Sequence, residues 1–171
     1  SALCSGWTSS EVLQSRWGSD YAANMQRLQS LAARTGQTVL LYNGQPAAAC
    51  YHAISSGHTE ASQNVWGGQL PYLCGVDSAW DKFADGYEVT IQYSAEQVRT
   101  ALEELGLTPD DSPESWVGAS TWDKAGYVRT LELCGQMVSG LEVRKALDLR
   151  STCFAIAWRG GQFVITTRGY G

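Results

Sequence analysis

Nowhere does this chain carry an apolar run near the ~20 residues that a membrane-spanning helix needs. Nor does it have a positively charged start leading into an apolar stretch, the pattern of an export signal. Basic side chains are few: 12 Lys and Arg against 17 Asp and Glu leave a formal net charge of -5. Nucleic-acid binding draws on a basic surface that releases counterions from phosphates, so that partner class is excluded. An anionic membrane surface exerts no attraction either. The five cysteines, Cys4, Cys50, Cys74, Cys134 and Cys153, include no C-x-x-C pair. The close ligand spacing of a zinc site is therefore lacking, and an odd number cannot all pair within the chain. No metal and no cofactor is expected.

What is present is a globular composition: 171 residues, 44% hydrophobic and 17% charged. This suffices for one domain, or for two small lobes sharing a core. Seven Trp stand against three Phe. Indole faces stack on sugar rings, so a glycan-binding surface is one reading; large buried contacts are the plainer one. Cys50, Cys134 and Cys153 sit in apolar, strand-like runs and read as buried free thiols. A Cys4–Cys74 bridge is compatible with the sequence but not fixed by spacing.

Local signals set out the elements. Ser9-Ser10 open a short helix, and a longer one is expected over 20–34, capped by Asp20 and stopped by Gly36, with Tyr21, Met25, Leu28 and Ala32 on one face. Asn43-Gly44 between strand-like runs at 38–42 and 45–53 is a hairpin signal, because both residues tolerate positive φ. That places Cys50-Tyr51-His52 late in a strand. Residues 54–80, rich in Ser, Gly, Thr and Asn, form a loop far longer than the usual ~12–15 residues, and loops of that kind are often functional. A strand follows at 87–93. Ser94 and Gln97 form a capping box for a helix to Leu105, and Ser139 with Glu142 form another for a helix to Leu147. Residues 108–115, with two Pro and three acidic groups, are the candidate lobe boundary. Two further hairpins are expected, one turning at Cys134-Gly135 and the other at Gly160-Gly161. The fold class is α+β, an antiparallel or mixed sheet built from hairpins with a few packed helices, in one or two lobes.

The chemistry-bearing stretch is Tyr51-His-Ala-Ile-Ser-Ser-Gly-His-Thr-Glu60, continuing to Trp66-Gly67. Several readings compete. His52 with Ser55 or Ser56 could be a base and nucleophile, but no orienting acid is evident. His52, His58 and Glu60 could ligate a metal, without zincin spacing in support. Glu60 could be a general acid with its pKa raised by Trp66. Alternatively Thr59, Ser62 and Asn64 only satisfy the backbone of a tight loop.

The same stretch resembles the signature of the SpoIID family (stage II sporulation protein D and its relatives): Tyr51-His52, Ser55, Gly57-His58-Thr59-Glu60, Ser62 and Val65-Trp66-Gly67. Pro71-Tyr72-Leu73 and Val76-Asp77-Ser78 are similar to its continuation. Ser139-Gly140, Val143-Arg144 and Leu149-Arg150-Ser151-Thr152-x-Phe154 resemble its distal segment, and Arg168-Gly169-Tyr170-Gly171 the opening of its closing motif. The matches run in order from about residue 37 to the last residue.

The resemblance implies one SpoIID-like domain over 1–171. It implies a lytic transglycosylase acting on peptidoglycan, preferring glycan strands stripped of stem peptides, with a wall amidase as a candidate partner and an extracytoplasmic location. A non-catalytic glycan-binding module is the alternative. On this reading His52, Ser55, Gly57, Thr59, Glu60 and Trp66 line the glycan groove, with Arg144, Arg150 and Ser151 from the distal segment. The family's catalytic glutamate precedes an alanine-rich helix that has no counterpart here, so the acid is expected upstream of Ser1. The chain is accordingly expected to be a fragment lacking both flanks, and Glu60 does not inherit the acid's role.

Overall fold

In the computed structural model, residues 8–36 and 38–170 are described. The chain divides into two compact units, Ser1–Cys50 and Tyr51–Gly171. In the first, α1 (Ser10–Trp17) and α2 (Tyr21–Thr35) are followed by a two-residue-per-strand hairpin, β1 (Leu41–Tyr42) and β2 (Gln45–Pro46). Ser9 caps α1 by accepting the Val12 N–H. Asp20 makes no side-chain cap for α2; it ends a 3-10 turn that runs directly into the helix. Asn43 and Gly44 turn the hairpin at φ +50° and +75°. The strand expected over 45–53 stops at Pro46, and Tyr51 and His52 belong to no strand.

The second unit contains two three-stranded antiparallel sheets. One orders β3 (Glu88–Tyr93), β8 (Gln162–Arg168) and β7 (Phe154–Arg159), with β8 central. The other orders β4 (Val117–Trp122), β5 (Val128–Leu133) and β6 (Gln136–Ser139). Central strands are buried on one face, and β8 alternates accordingly, with Phe163, Ile165 and Thr167 inward. Helix α4 (Ala95–Glu104) contributes Val98, Ala101 and Leu102, and α5 (Gly140–Ala146) contributes Val143. Both expected capping boxes are formed in full, Ser94 with Gln97 and Ser139 with Glu142. Trp116 stacks on Phe163 at 5.7 Å, and these two with Leu131, Leu133 and Ile165 make the centre of the core.

Residues 108–115 do not separate two lobes, since the chain on either side enters this one core. The segment is held to it: the Trp116 indole donates to Asp110, and Arg99 donates to the carbonyls of Pro109 and Asp110. The α+β class built from hairpins is what the chain forms.

The cysteines and tryptophans meet their plainer readings only in part. Cys153 is buried, Cys50 and Cys134 are half-buried outside any strand, and Cys74 is exposed; Cys4 lies outside the described residues. Trp7 is likewise outside them. Trp116 is buried and Trp158 partly so, whereas Trp66, Trp80 and Trp122 are open to solvent. The core filled its large positions with Phe163, leucines and Trp116, with Trp158 packed against it, and left Trp66, Trp80 and Trp122 outside.

Candidate functional site

The long loop is ordered by a set of ties to distant parts of the second unit. At its start, Ile54 and Tyr170 form an isolated antiparallel bridge, with N–H to carbonyl distances of 2.9 and 2.7 Å. Gly169 lets this happen: its φ is +70°, and a Cβ there would fall 2.7 Å from the Ile54 carbonyl oxygen. Tyr87 Oη donates to the Ser56 carbonyl at 2.8 Å, and the Gly169 N–H donates to the Tyr87 carbonyl. The short helix α3 (Ser62–Trp66), not anticipated from the sequence, closes the signature segment, and Gly67 ends it in the left-handed region.

Inside the loop, polar side chains are turned to one another. The Ser55 N–H donates to Asp81 Oδ2 at 2.7 Å, and Ser55 Oγ accepts the Gly57 N–H. Bonds from the Ser55 hydroxyl and N–H hold the Asp81 carboxyl down at about 2, with Ser78 and His52 adding to the effect. His52 Nε2 lies 3.5 Å from the same Asp81 oxygen. An acid thus stands beside His52 and Ser55, but it occupies both, and no His-to-Ser hydrogen bond is formed. A nucleophile–base pair needs that bond.

His58 Nδ1 lies 2.6 Å from the Thr59 carbonyl, and its Nε2 faces Asp77 at 4.0 Å. Thr59 Oγ1 accepts the Val76 N–H at 2.9 Å and lies 3.5 Å from the Val76 carbonyl. That leaves it one lone pair for another donor. Ser62 Oγ accepts the Leu70 N–H, and Asn64 donates to Glu60 Oε1. His52, His58 and Glu60 thus point at three different partners and not towards a common centre. Among the described residues, no three His, Cys, Asp or Glu side chains converge as metal ligands.

Glu60 is not a raised-pKa acid. Burial pushes its carboxyl up, but hydrogen bonds from Asp123, Asn64 and the Ala61 N–H, with the Arg129 charge, outweigh that and hold it below the usual range. Arg129 Nη2 sits 2.9 Å from Glu60 Oε2 and 3.2 Å from Asp123 Oδ2. Asp123 moves the opposite way: burial, and then its hydrogen bond to Glu60, push it up. Yet Asp123 Oδ2 is sealed from solvent, so no substrate reaches it.

Of the other sequence-derived residues, Gly57 takes φ +106°, which excludes a side chain without strain. Trp66 is 63% exposed. Ser55 and Ser151 are buried, and Ser151 Oγ accepts the Cys153 N–H. Arg150 donates to the Gly86 carbonyl and lies over the Tyr170 ring at 4.2 Å, one step from Ile54 through the terminal bridge. Arg144 reaches the Arg150 carbonyl at 3.5 Å. The helix-to-strand corner at 144–151 is therefore tied by hydrogen bonds.

Sequence reasoning missed Asp81, Tyr87, Asp123, Tyr127 and Arg129. The one local signal was Asp123-Lys-Ala-Gly126 between two strand-like runs, an Asx-turn pattern. Trp80 and Phe83, with rings 5.8 Å apart, flank Asp81, and Trp80 is 84% exposed. Together with Tyr51 and Trp66 they give the second unit several open aromatic faces.

No family model matches the chain. It is 32% identical over 166 residues to stage II sporulation protein D of Bacillus subtilis (strain 168), a match covering 96% of this chain and 47% of that protein. The stage II sporulation protein D of Bacillus amyloliquefaciens is 33% identical over the same shares. The chain thus spans about half the length of these relatives. An amidase enhancer of Bacillus subtilis (strain 168) is 35% identical over 88 residues, 52% of this chain and 11% of that protein.

Proposed function

Since this chain belongs to the SpoIID family, we propose that its 52–67 segment is a glycan-strand binding surface of a SpoIID-type lytic transglycosylase in cell-wall remodelling or sporulation. The observation that carries the reading is a loop whose inner polar groups are used up in fixing its shape, while Trp66 and His52 remain accessible. A pre-shaped surface loses little conformational freedom on binding, and indole faces suit the apolar faces of sugar rings. Thr59 keeps one lone pair for an acetamide or hydroxyl donor. Arg144 and Arg150 support the site through the Tyr170 bridge, and Ser55 and Ser151 support it from within.

In the proposed reaction, a carboxylic acid protonates the glycosidic oxygen between N-acetylmuramic acid and N-acetylglucosamine. The bond from muramic C1 to that oxygen breaks as the 6-hydroxyl closes on C1, and the hydroxyl proton returns to the carboxylate of the acid, giving a 1,6-anhydro end without consuming water. An acid that is protonated near neutral pH and open to substrate is required. Glu60 is held anionic by Arg129 and Asp123 Oδ2 is sealed, so neither meets both conditions. We propose that neither is the acid and that it lies outside the 52–67 loop. Peptidoglycan lies outside the cytoplasmic membrane, which makes the protein extracytoplasmic; no helix among the described residues is long and apolar enough to span a membrane.

The amidase-enhancer relative favours a second reading, a glycan-binding module that assists a wall amidase without cleaving. Mass spectrometry of peptide-stripped strands incubated with the full-length protein, and separately with this chain, tests both. Anhydro ends from the full-length protein alone support the transglycosylase. Binding without anhydro ends from either favours the module, and no binding by either overturns both.

A further inference from the structure

We infer that Asp123, Tyr127 and Arg129, on the turn and strand that follow β4, are positioning residues for the glycan-binding loop, setting its shape without touching sugar. The inference rests on the glycan-binding reading above and extends it to residues that the family signature does not contain.

The turn is itself rigid: Asp123 Oδ1 accepts the N–H groups of Ala125 and Tyr127, each at 2.9 Å. From this base three ties reach the loop. Tyr127 Oη donates to the His58 carbonyl at 2.9 Å and lies 3.3 Å from the Ser56 N–H. Ser56 Oγ donates to the Ala125 carbonyl at 3.1 Å. Arg129 reaches Glu60 at 2.9 Å. Residues 56, 58 and 60 are thus fastened to one hairpin on alternate positions, which leaves Gly57 and Thr59 between the fastenings.

The carboxylates at the third tie carry a charge imbalance. Two of them, Glu60 and Asp123, meet one guanidinium. Asp123 Oδ2 has no solvent access and no aligned hydrogen-bond donor. Two carboxylates converging on one guanidinium do not both ionise freely, so the pair shares one proton, carried by Asp123, the carboxyl that burial raises, while Glu60 stays anionic. Among the described residues, Tyr127 and the buried Cys153 thiol also lie beside Asp123, and neither side chain can carry a positive charge. When the shared proton leaves, two anions confront Arg129 alone, and the fastening of Glu60 weakens.

The test is amide hydrogen exchange by NMR, expressed as protection factors from pH 5.5 to 8.5, on the wild type and on Arg129→Ala, Arg129→Lys, Tyr127→Phe and Asp123→Asn. Protection at Phe163 and Ile165 in β8 reports whether each variant is folded. Binding to peptide-stripped glycan strands is measured alongside. Arg129→Ala and Tyr127→Phe are expected to lower protection at Gly57, Thr59 and Ser62 about tenfold with β8 unchanged, and to raise the glycan Kd to match. Arg129→Lys restores part of both. Asp123→Asn, a neutral mimic of the protonated acid, keeps the protection and removes its fall at high pH. Unchanged loop protection in Arg129→Ala, or an unaltered pH profile in Asp123→Asn, overturns the inference. Loop protection that responds as expected in a protein that retains no glycan supports the positioning role and overturns the proposed ligand.

Discussion

Replacing Gly169 by alanine should be far more damaging than an equivalent change at Gly160, although both glycines sit at positive φ, +70° and +58°. Forcing a non-glycine residue into the left-handed region costs about 1–2 kcal/mol at either position. At Gly160 nothing lies within 4 Å of the added Cβ, so the cost stops there. At Gly169 the Cβ would stand 2.7 Å from the Ile54 oxygen, 2.7 Å from the Ser55 carbonyl carbon and 2.8 Å from its oxygen. All three are backbone atoms and cannot step aside by changing rotamer. The bridge must open, and its two hydrogen bonds between Ile54 and Tyr170 are each worth about 1 kcal/mol net. The sum is roughly 3–4 kcal/mol against about 1–2 for Gly160→Ala, or about 10–15 °C in Tm against about 5 °C at the usual scale for a domain this size. Thermal unfolding followed by circular dichroism measures both. Because the bridge sets the entry to the loop, Gly169→Ala should also lose glycan binding that Gly160→Ala retains. Equal Tm losses in the two variants would refute the reasoning, since they would show that the Ile54–Tyr170 approach constrains nothing.

Thr59→Ser should preserve the loop because the hydroxyl still accepts the Val76 N–H, whereas Thr59→Ala should cost about 1 kcal/mol and weaken glycan retention; denaturant melts and strand pull-downs separate the two. Trp66→Ala should leave the melting curve within a few tenths of a kcal/mol of wild type, since the ring is largely exposed, yet reduce affinity for stripped glycan several-fold by titration. The Asp81 carboxyl is held down at about 2 in the folded state, chiefly by Ser55. Its stabilisation is therefore full above the unfolded value near 3.8 and is lost as pH falls towards 2. Asp81→Asn should remove about 1–2 kcal/mol at pH 6 and flatten this part of the acid-unfolding profile.

Signals confined to a few residues were legible in the sequence. The turns at Asn43-Gly44 and Gly160-Gly161 and both capping boxes stand where their residues put them, because positive φ and a reciprocal side-chain cap are decided locally. The strand extended to residue 53 was not, since apolar alternation marks a strand only when a neighbour pairs with it, and pairing ends at Pro46. The loop was visible as a long Ser- and Gly-rich tract, and Gly57 as its conformational requirement. What holds it was invisible: Tyr127 and Arg129 reach His58 and Glu60 across 69 positions of sequence, from a strand whose pattern speaks only of β-structure. The same distance hid the reversal at Glu60. Beside Trp66 in sequence it suggested a raised acid, but in space its neighbours are a guanidinium, an amide and a second carboxyl.

The most direct test of the account is a hydrogen-exchange footprint of peptide-stripped glycan strands on this chain. Slowed exchange is expected to concentrate in 55–67 on saturation with glycan, with the β4–β5–β6 sheet unchanged beyond the Asp123 turn. No protection anywhere, or protection confined to the sheet faces away from that loop, would contradict it.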